Sequence, residues 1–207
     1  MIVGEEQSPM ATQESVTEDQ LRFGQRDDGR PTSADEFAAA EFDEPWTYER
    51  VDGRLVVMSP EGTGHVLQSE PWRDRLGAYR LSRPKIVRSV VSQAWIRIDE
   101  DNTRIADIGV YLGGPLSNLN IPEQVPDLVF EIVSPGKASR RRDYVEKRAQ
   151  YEKIGVREYV IIDRFDGKVT VLTLGEAGYS EAVLTPTDVY RSPLLPGFEV
   201  QLAEVLS

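Results

Sequence analysis

Apolar residues recur with two distinct periods along this chain, and the changes between them divide it into elements. Residues 48–58 hold two β-prone runs around Asp52-Gly53, a dipeptide suited to a tight turn, so a hairpin is expected there. Residues 59–64 follow as a loop. Trp72, Leu76 and Tyr79 then fall on one helical face. That helix is expected to become regular near Glu70, with Pro71 in its first turn, where a missing N–H does least harm. Residues 86–91 and 94–98 read as two short strands, 99–102 as a turn, and 105–112 as a further strand. After an irregular loop over 113–125, residues 127–133 form the most apolar run, expected to be a central strand buried on both faces. A helix over 139–154 ends at Gly155, in the usual C′ place for glycine. Residues 158–163 and 168–174 make a second hairpin across Asp166-Gly167, and the last thirty residues supply edge strands and a closing element.

Near the start, Ser33 with Glu36 three residues on has the form of a capping box, with Phe37 and Phe42 on the buried side of the helix it opens. Residues 1–32 lack a sustained apolar period and read as a flexible acidic tail. The outcome is one domain over residues 33–207, an α/β fold whose mixed β-sheet is flanked by helices.

Composition narrows the chemistry. The 207 residues contain no cysteine and one histidine, His65. Thiolate sites, disulfides and cysteine nucleophiles are thereby excluded, and metal ligands are expected to be oxygens, which favours Mg²⁺ or Mn²⁺. No run is long and apolar enough for a membrane span, and no basic-then-apolar leader opens the chain, so a cytoplasmic location is expected. The net charge of -11 opposes tight non-specific binding of nucleic acid. A local basic cluster of Lys137, Arg140, Arg141, Arg142, Lys147 and Arg148 could still serve.

Two carboxylates stand inside apolar β-type runs, Asp107 in Ile105-Ala106-Asp107 and Glu131 in Asp127-Leu128-Val129-Phe130-Glu131. A buried charge is costly unless a cation or water meets it. Neighbouring strands pushing both acids to one edge would form a divalent-cation site; two unrelated strand-end acids are the plainer alternative. Asp143, Lys147 and Tyr151 stand at i, i+4 and i+8 on one helix face, which either reaches that edge or carries an ordinary surface pair. Glu49 reads as a hairpin ion pair or an added acid, and His65 as a loop or capping residue. Trp72 and Trp95 read as core, and Asp127 is a rival for the metal-binding aspartate.

The succession Tyr48-Glu49, Asp52-Gly53, Ser59-Pro60, His65, Arg104, Asp107, Pro126-Asp127, Glu131-Ile132-Val133-Ser134-Pro135, Asp143, Lys147, Tyr151, Gly155-Val156 and Glu158-Tyr159 resembles the Uma2 family (DUF820). That family lies in the PD-(D/E)XK nuclease superfamily, with its restriction-endonuclease-like fold. The resemblance covers about residue 32 to the C-terminus. It implies a magnesium-dependent endonuclease hydrolysing phosphodiester bonds of DNA, with Asp107 and Glu131 as metal ligands beside the Ile132 carbonyl. Lys147 would complete the catalytic set, since Val133 occupies the usual lysine position and Ala106 the usual proline position. Arg141 and Arg142 would contact flanking phosphates. A homodimer, one copy per strand, is compatible with this. The alternative is a nuclease-fold protein that binds nucleic acid or protein without cutting.

Overall fold

In the computed structural model, residues 21–113 and 124–206 are described. The loop expected over 113–125 falls almost entirely outside them, as do residues 1–20 of the expected tail.

The order begins with β1 (Arg22–Phe23), α1 (Ala34–Ala39), β2 (Glu41–Phe42), β3 (Thr47–Val51) and β4 (Arg54–Met58). The long helix α2 (Thr63–Ser82), β5 (Ser89–Arg97), β6 (Thr103–Tyr111) and β7 (Leu128–Ile132) follow. Next, α3 (Lys137–Arg141) runs through a π-helical turn (Arg142–Lys147) into α4 (Arg148–Ile154). The chain closes with β8 (Glu158–Asp163), β9 (Lys168–Gly175), β10 (Gly178–Leu184), β11 (Val189–Arg191) and β12 (Glu199–Gln201).

The main sheet runs β10-β9-β8-β7-β6-β3-β4, with β5 also paired to β6, and mixes one parallel contact (β7 with β8) into antiparallel neighbours. Helices cover both faces. Against α2 and the C-terminal strands lie Trp72, Leu76, Phe130, Val160 and Tyr190. Val129, Val133, Tyr151, Tyr159 and Ile161 pack on the face of α4. As the uniformly apolar run implied, β7 is buried along its whole length. Among the described residues no helix is long and apolar enough to cross a membrane.

Four expectations are corrected. Helix α2 starts at Thr63, so Pro71 sits in its interior, and Trp72, Leu76 and Tyr79 buried on the sheet hold the helix through the missing hydrogen bond. His65 therefore lies in the helix's first turn, not in a loop. The two short strands are one, β5, distorted at Gln93, which has φ 49°. The ordered fold also begins before residue 33: Phe23 is buried with Phe37, Tyr48 and Leu55, and Arg22–Phe23 pairs parallel to β2. A single large aromatic on a two-residue strand leaves no periodic trace, which is why a tail was expected there.

Candidate active site

The branching of the sheet builds the site. Strand β5 pairs along β6 from Thr103 to Tyr111 and so fills one edge of it. The other edge is shared: β7 pairs only at residues 108–110, and β3 only at Thr103. Between them, residues 104–107 of β6 face a fork without a backbone partner on that side. A buried N–H or C=O cannot be left unpaired cheaply. Side chains supply the partners instead. The Ile105 N–H donates to Glu49 Oε1 at 2.9 Å, and the Ile105 carbonyl accepts from Lys147 Nζ at 2.6 Å.

Asp107 stands where the alternation of β6 breaks. The β5–β6 register passes from Ser92↔Ile108 to Ala94↔Ala106, skipping the Gln93 and Asp107 position. Ala106 packs on the α4 face, whereas Ile108 packs on the α2 face. Asp107 is turned into the fork, where its Oδ2 accepts from the Ile132 N–H at 2.6 Å. By the β6–β7 register, continued one position, Glu131 lies opposite it.

Glu131 is 3% exposed, and its Oε1 accepts from Lys147 Nζ at 2.8 Å and from the Tyr151 hydroxyl at 2.9 Å. Burial pushes its pKa up to about 8 despite the opposing lysine, and Asp107 and Asp143 add to the rise. Burial by itself would lower Lys147, but Glu131, Glu49 and Asp143 raise it, so the ammonium stays charged. Glu49 is also buried. Lys147, Arg104 and the Ile105 N–H hold its carboxyl below the ordinary range against the effect of burial. Its partner is Arg104 of β6, with Nη1 to Oε2 at 2.8 Å, so it is not the hairpin ion pair expected. Asp143, raised by burial, bonds Arg142 through Oδ1, while its buried Oδ2 has no hydrogen-bond partner among the described residues.

On the cleft side of Asp107, His65 Nε2 lies 3.3 Å from Asp107 Oδ2 and 3.6 Å from Glu61 Oε1. One donor atom from each of Glu61, His65 and Asp107 falls within 4.8 Å of the other two. His65 Nε2 is buried, and among the described residues it meets acids but completes no well-formed hydrogen bond. Its Nδ1 is 3.4 Å from Ser134 Oγ, a contact that can fix the ring's orientation. Two carboxylates and one imidazole converging on a common point suit a divalent cation that accepts both oxygen and nitrogen. The expectation of oxygen ligands alone is thus revised, because the single histidine is brought to this point beside the two acids. Glu131 stands outside the trio, against the lysine.

The cleft above these groups has a volume of about 650 Å³, and Glu49, Glu61, His65, Asp107, Glu131, Arg142 and Lys147 all line it. Of the other expected residues, Arg141 is outside the cleft, 75% exposed and paired with Glu146. Asp127 is at the far end of β7, capping the Leu112 N–H and pairing with Arg157, and does not reach the cleft. Trp72 and Trp95 are packed among other side chains. Sequence reasoning missed Glu61. It stands in the loop just before the Gly62 cap of α2, where no local pattern marks it.

Residues 34–203 match the model of the Uma2 family, which is described as "Putative restriction endonuclease". No curated protein matches the chain. Among solved structures, a protein from Anabaena variabilis ATCC 29413, described as a putative nuclease belonging to DUF820, superposes with a TM-score of 0.70 at 17% identity. That alignment covers 86% of this chain and 100% of the other, and it supports a shared fold.

Proposed function

Because this chain belongs to the Uma2 family, within the PD-(D/E)XK-like nuclease superfamily, we propose that it is a divalent-metal-dependent endonuclease acting on phosphodiester bonds of DNA. The observation that carries this reading is the meeting of the Lys147 ammonium with Glu131 in the same fork that gathers Glu61, His65 and Asp107. A structural ion pair alone would not require a second cluster of donors with an unsatisfied imidazole nitrogen.

Asp107, His65 and Glu61 would hold the cation, with Glu131 available beside them once its proton is lost. A bound divalent ion would supply charge to the scissile phosphate and acidify a coordinated water. Lys147 spends two N–H bonds on Glu131 and the Ile105 carbonyl, with Glu49 3.6 Å away. Its third proton is open to a water or phosphate oxygen entering from the cleft, where it offsets charge developing in the reaction. Tyr151 keeps Glu131 turned toward the lysine. Arg142, braced by Asp143, offers a flanking phosphate contact; Arg141, outside the cleft and paired with Glu146, could meet only the outer part of a longer strand.

A second reading, a nuclease fold that binds without cutting, draws on one observation: Lys147 is 3% exposed and already bonded to its acids. Incubation of supercoiled plasmid with the protein in Mn²⁺ or Mg²⁺ separates the two. Nicking by the parent that disappears in Asp107→Ala and Lys147→Ala supports the enzyme; absence of nicking in the parent leaves the binder.

A further inference from the structure

The cleft has few cations to spare for a phosphate. Lys147 is bonded to Glu131, and Arg142 to Asp143. Arg164, in the turn between β8 and β9, also lines the cleft, and it has no carboxylate partner among the described residues. The side chain is exposed but has two neighbours. Its guanidinium lies over the Phe165 ring, 4.8 Å from the centroid. It also rests on Gly64, the residue before His65, where an added methyl would come 2.9 Å from Nη2. Gly64 leaves open the space the guanidinium occupies beside the first turn of α2, which also carries His65.

Phe165 is 47% exposed, unusual for a large aromatic that makes no part of the core. An exposed ring beneath an uncommitted guanidinium, at the mouth of an acidic cleft, joins the two elements that hold a nucleic-acid strand: a cation for the backbone and a π-face for a base. With a net charge of -11, the protein has no general field to attract phosphate, so a local unpaired cation matters more.

We infer that the Arg164–Phe165 turn grips the substrate strand, Arg164 neutralising a phosphate next to the one at the metal trio and Phe165 stacking an unpaired base. This rests on the nuclease reading for the identity of the ligand as nucleic acid. It goes further in naming the substrate class, a single strand or a splayed end, because a ring at this mouth cannot stack on a base still inside a duplex.

The test is binding without cleavage. The full chain in EDTA is titrated with a fluorescent mixed-sequence single-stranded oligonucleotide and with its blunt duplex, across a range of salt. Phe165→Ala is expected to weaken single-strand binding at least about fivefold, as loss of one stacked base does, with the salt slope unchanged and duplex binding little altered. Arg164→Ala is expected to weaken it about tenfold and to flatten the slope by about 0.7, the share of one phosphate contact on a single strand. Arg164→Lys, which keeps the charge, should keep the slope. Single-strand affinity unchanged in Phe165→Ala or Arg164→Ala overturns the inference, as does a parent that binds neither oligonucleotide. Nicking of plasmid in Mn²⁺ is scored separately: a parent that cuts while both variants bind normally loses only the grip, and one that binds through the turn but never cuts loses only the nuclease assignment.

Discussion

Lys147 Nζ sits 2.8 Å from Glu131 Oε1 with both side chains 3% exposed, so one buried ion pair links the π-helical turn to the central strand β7. Removing one partner strands the other's charge, which typically costs about 3–5 kcal/mol. Lys147→Ala should therefore lower stability by about that amount in urea unfolding above about pH 8, where Glu131 is ionised. The double variant Lys147→Met with Glu131→Gln should recover a large part, since two neutral groups of similar shape leave no orphan charge and Glu49 keeps Arg104. Costs that simply add in the double variant would show the pair is not coupled.

An imidazole in the candidate cation site has a consequence for the ion it prefers. Mg²⁺ takes oxygen donors and keeps its waters, whereas Mn²⁺ accepts a nitrogen ligand more readily. Calorimetric titration should give tighter binding of Mn²⁺ than of Mg²⁺, and His65→Ala should erase the difference while Asp107→Ala removes both. Equal affinity for the two ions in the parent would exclude His65 as a ligand.

The same histidine sets a pH dependence. Burial opposes its protonation, but Asp107, Glu61 and Glu131 outweigh that and raise its pKa above the ordinary 6.5. A cation needs the neutral ring, so binding must expel the proton. Mn²⁺ affinity should then rise with pH until the raised pKa is passed and level off above it. Below it, affinity should fall about tenfold per pH unit, one proton being displaced per ion. In His65→Ala this step should be missing from the affinity profile.

How far these features could be read beforehand depended on how local they are. The turn at Asp52-Gly53, the Ser33 cap with its reciprocal Glu36 bond, the apolar β7 and the Gly155 stop are each written in a few adjacent residues, and each forms. Asp107, Glu131 and Lys147 were named together on the resemblance to the Uma2 family, because the strand and helix periods by themselves left unrelated acids and an ordinary surface pair open. The fork was not legible, since it arises from β3 and β7 sharing one edge of β6, a long-range fact. Nor was the kink at Gln93 and Asp107, which no glycine or proline marks. Pro71 was read as a helix start on local grounds, and packing of Trp72 and Leu76 overrode it, so His65 was read as a loop or capping residue rather than as part of the helix's first turn.

Glu158 gives a pH test away from the site. It is buried at the base of β8, accepting from the Tyr190 hydroxyl and from Ser192 Oγ, the latter at 3.0 Å, with no cation beside it among the described residues. Burial raises its pKa above the ordinary 4.5 despite these two donors. The folded chain thus holds this proton at pH values where the unfolded chain has lost it. Its contribution to stability is full below the ordinary carboxylate pKa and is lost as pH rises through the raised one. Glu158→Gln keeps the shape and removes the titration, so its urea midpoint should decline less than the parent's between about pH 5 and 8. Parallel declines would mean Glu158 ionises normally in the fold.

The start of the ordered chain can be tested by one side chain. Phe23 is 1% exposed, with its ring 6.0 Å from that of Phe42 and the Arg30 guanidinium 5.1 Å above it. Replacing a buried phenylalanine by alanine costs about 3–5 kcal/mol in a rigid core, and a short edge strand that can settle inward should lie near the lower figure. Leu81→Ala, at a position 75% exposed, is the matched control and should cost under about 0.5 kcal/mol. A Phe23→Ala protein that unfolds at the same urea concentration as the Leu81→Ala protein would return residues 21–32 to the tail. A loss near 3 kcal/mol would instead make this segment part of the wall that fixes β3, and through Glu49 part of what holds the fork in shape.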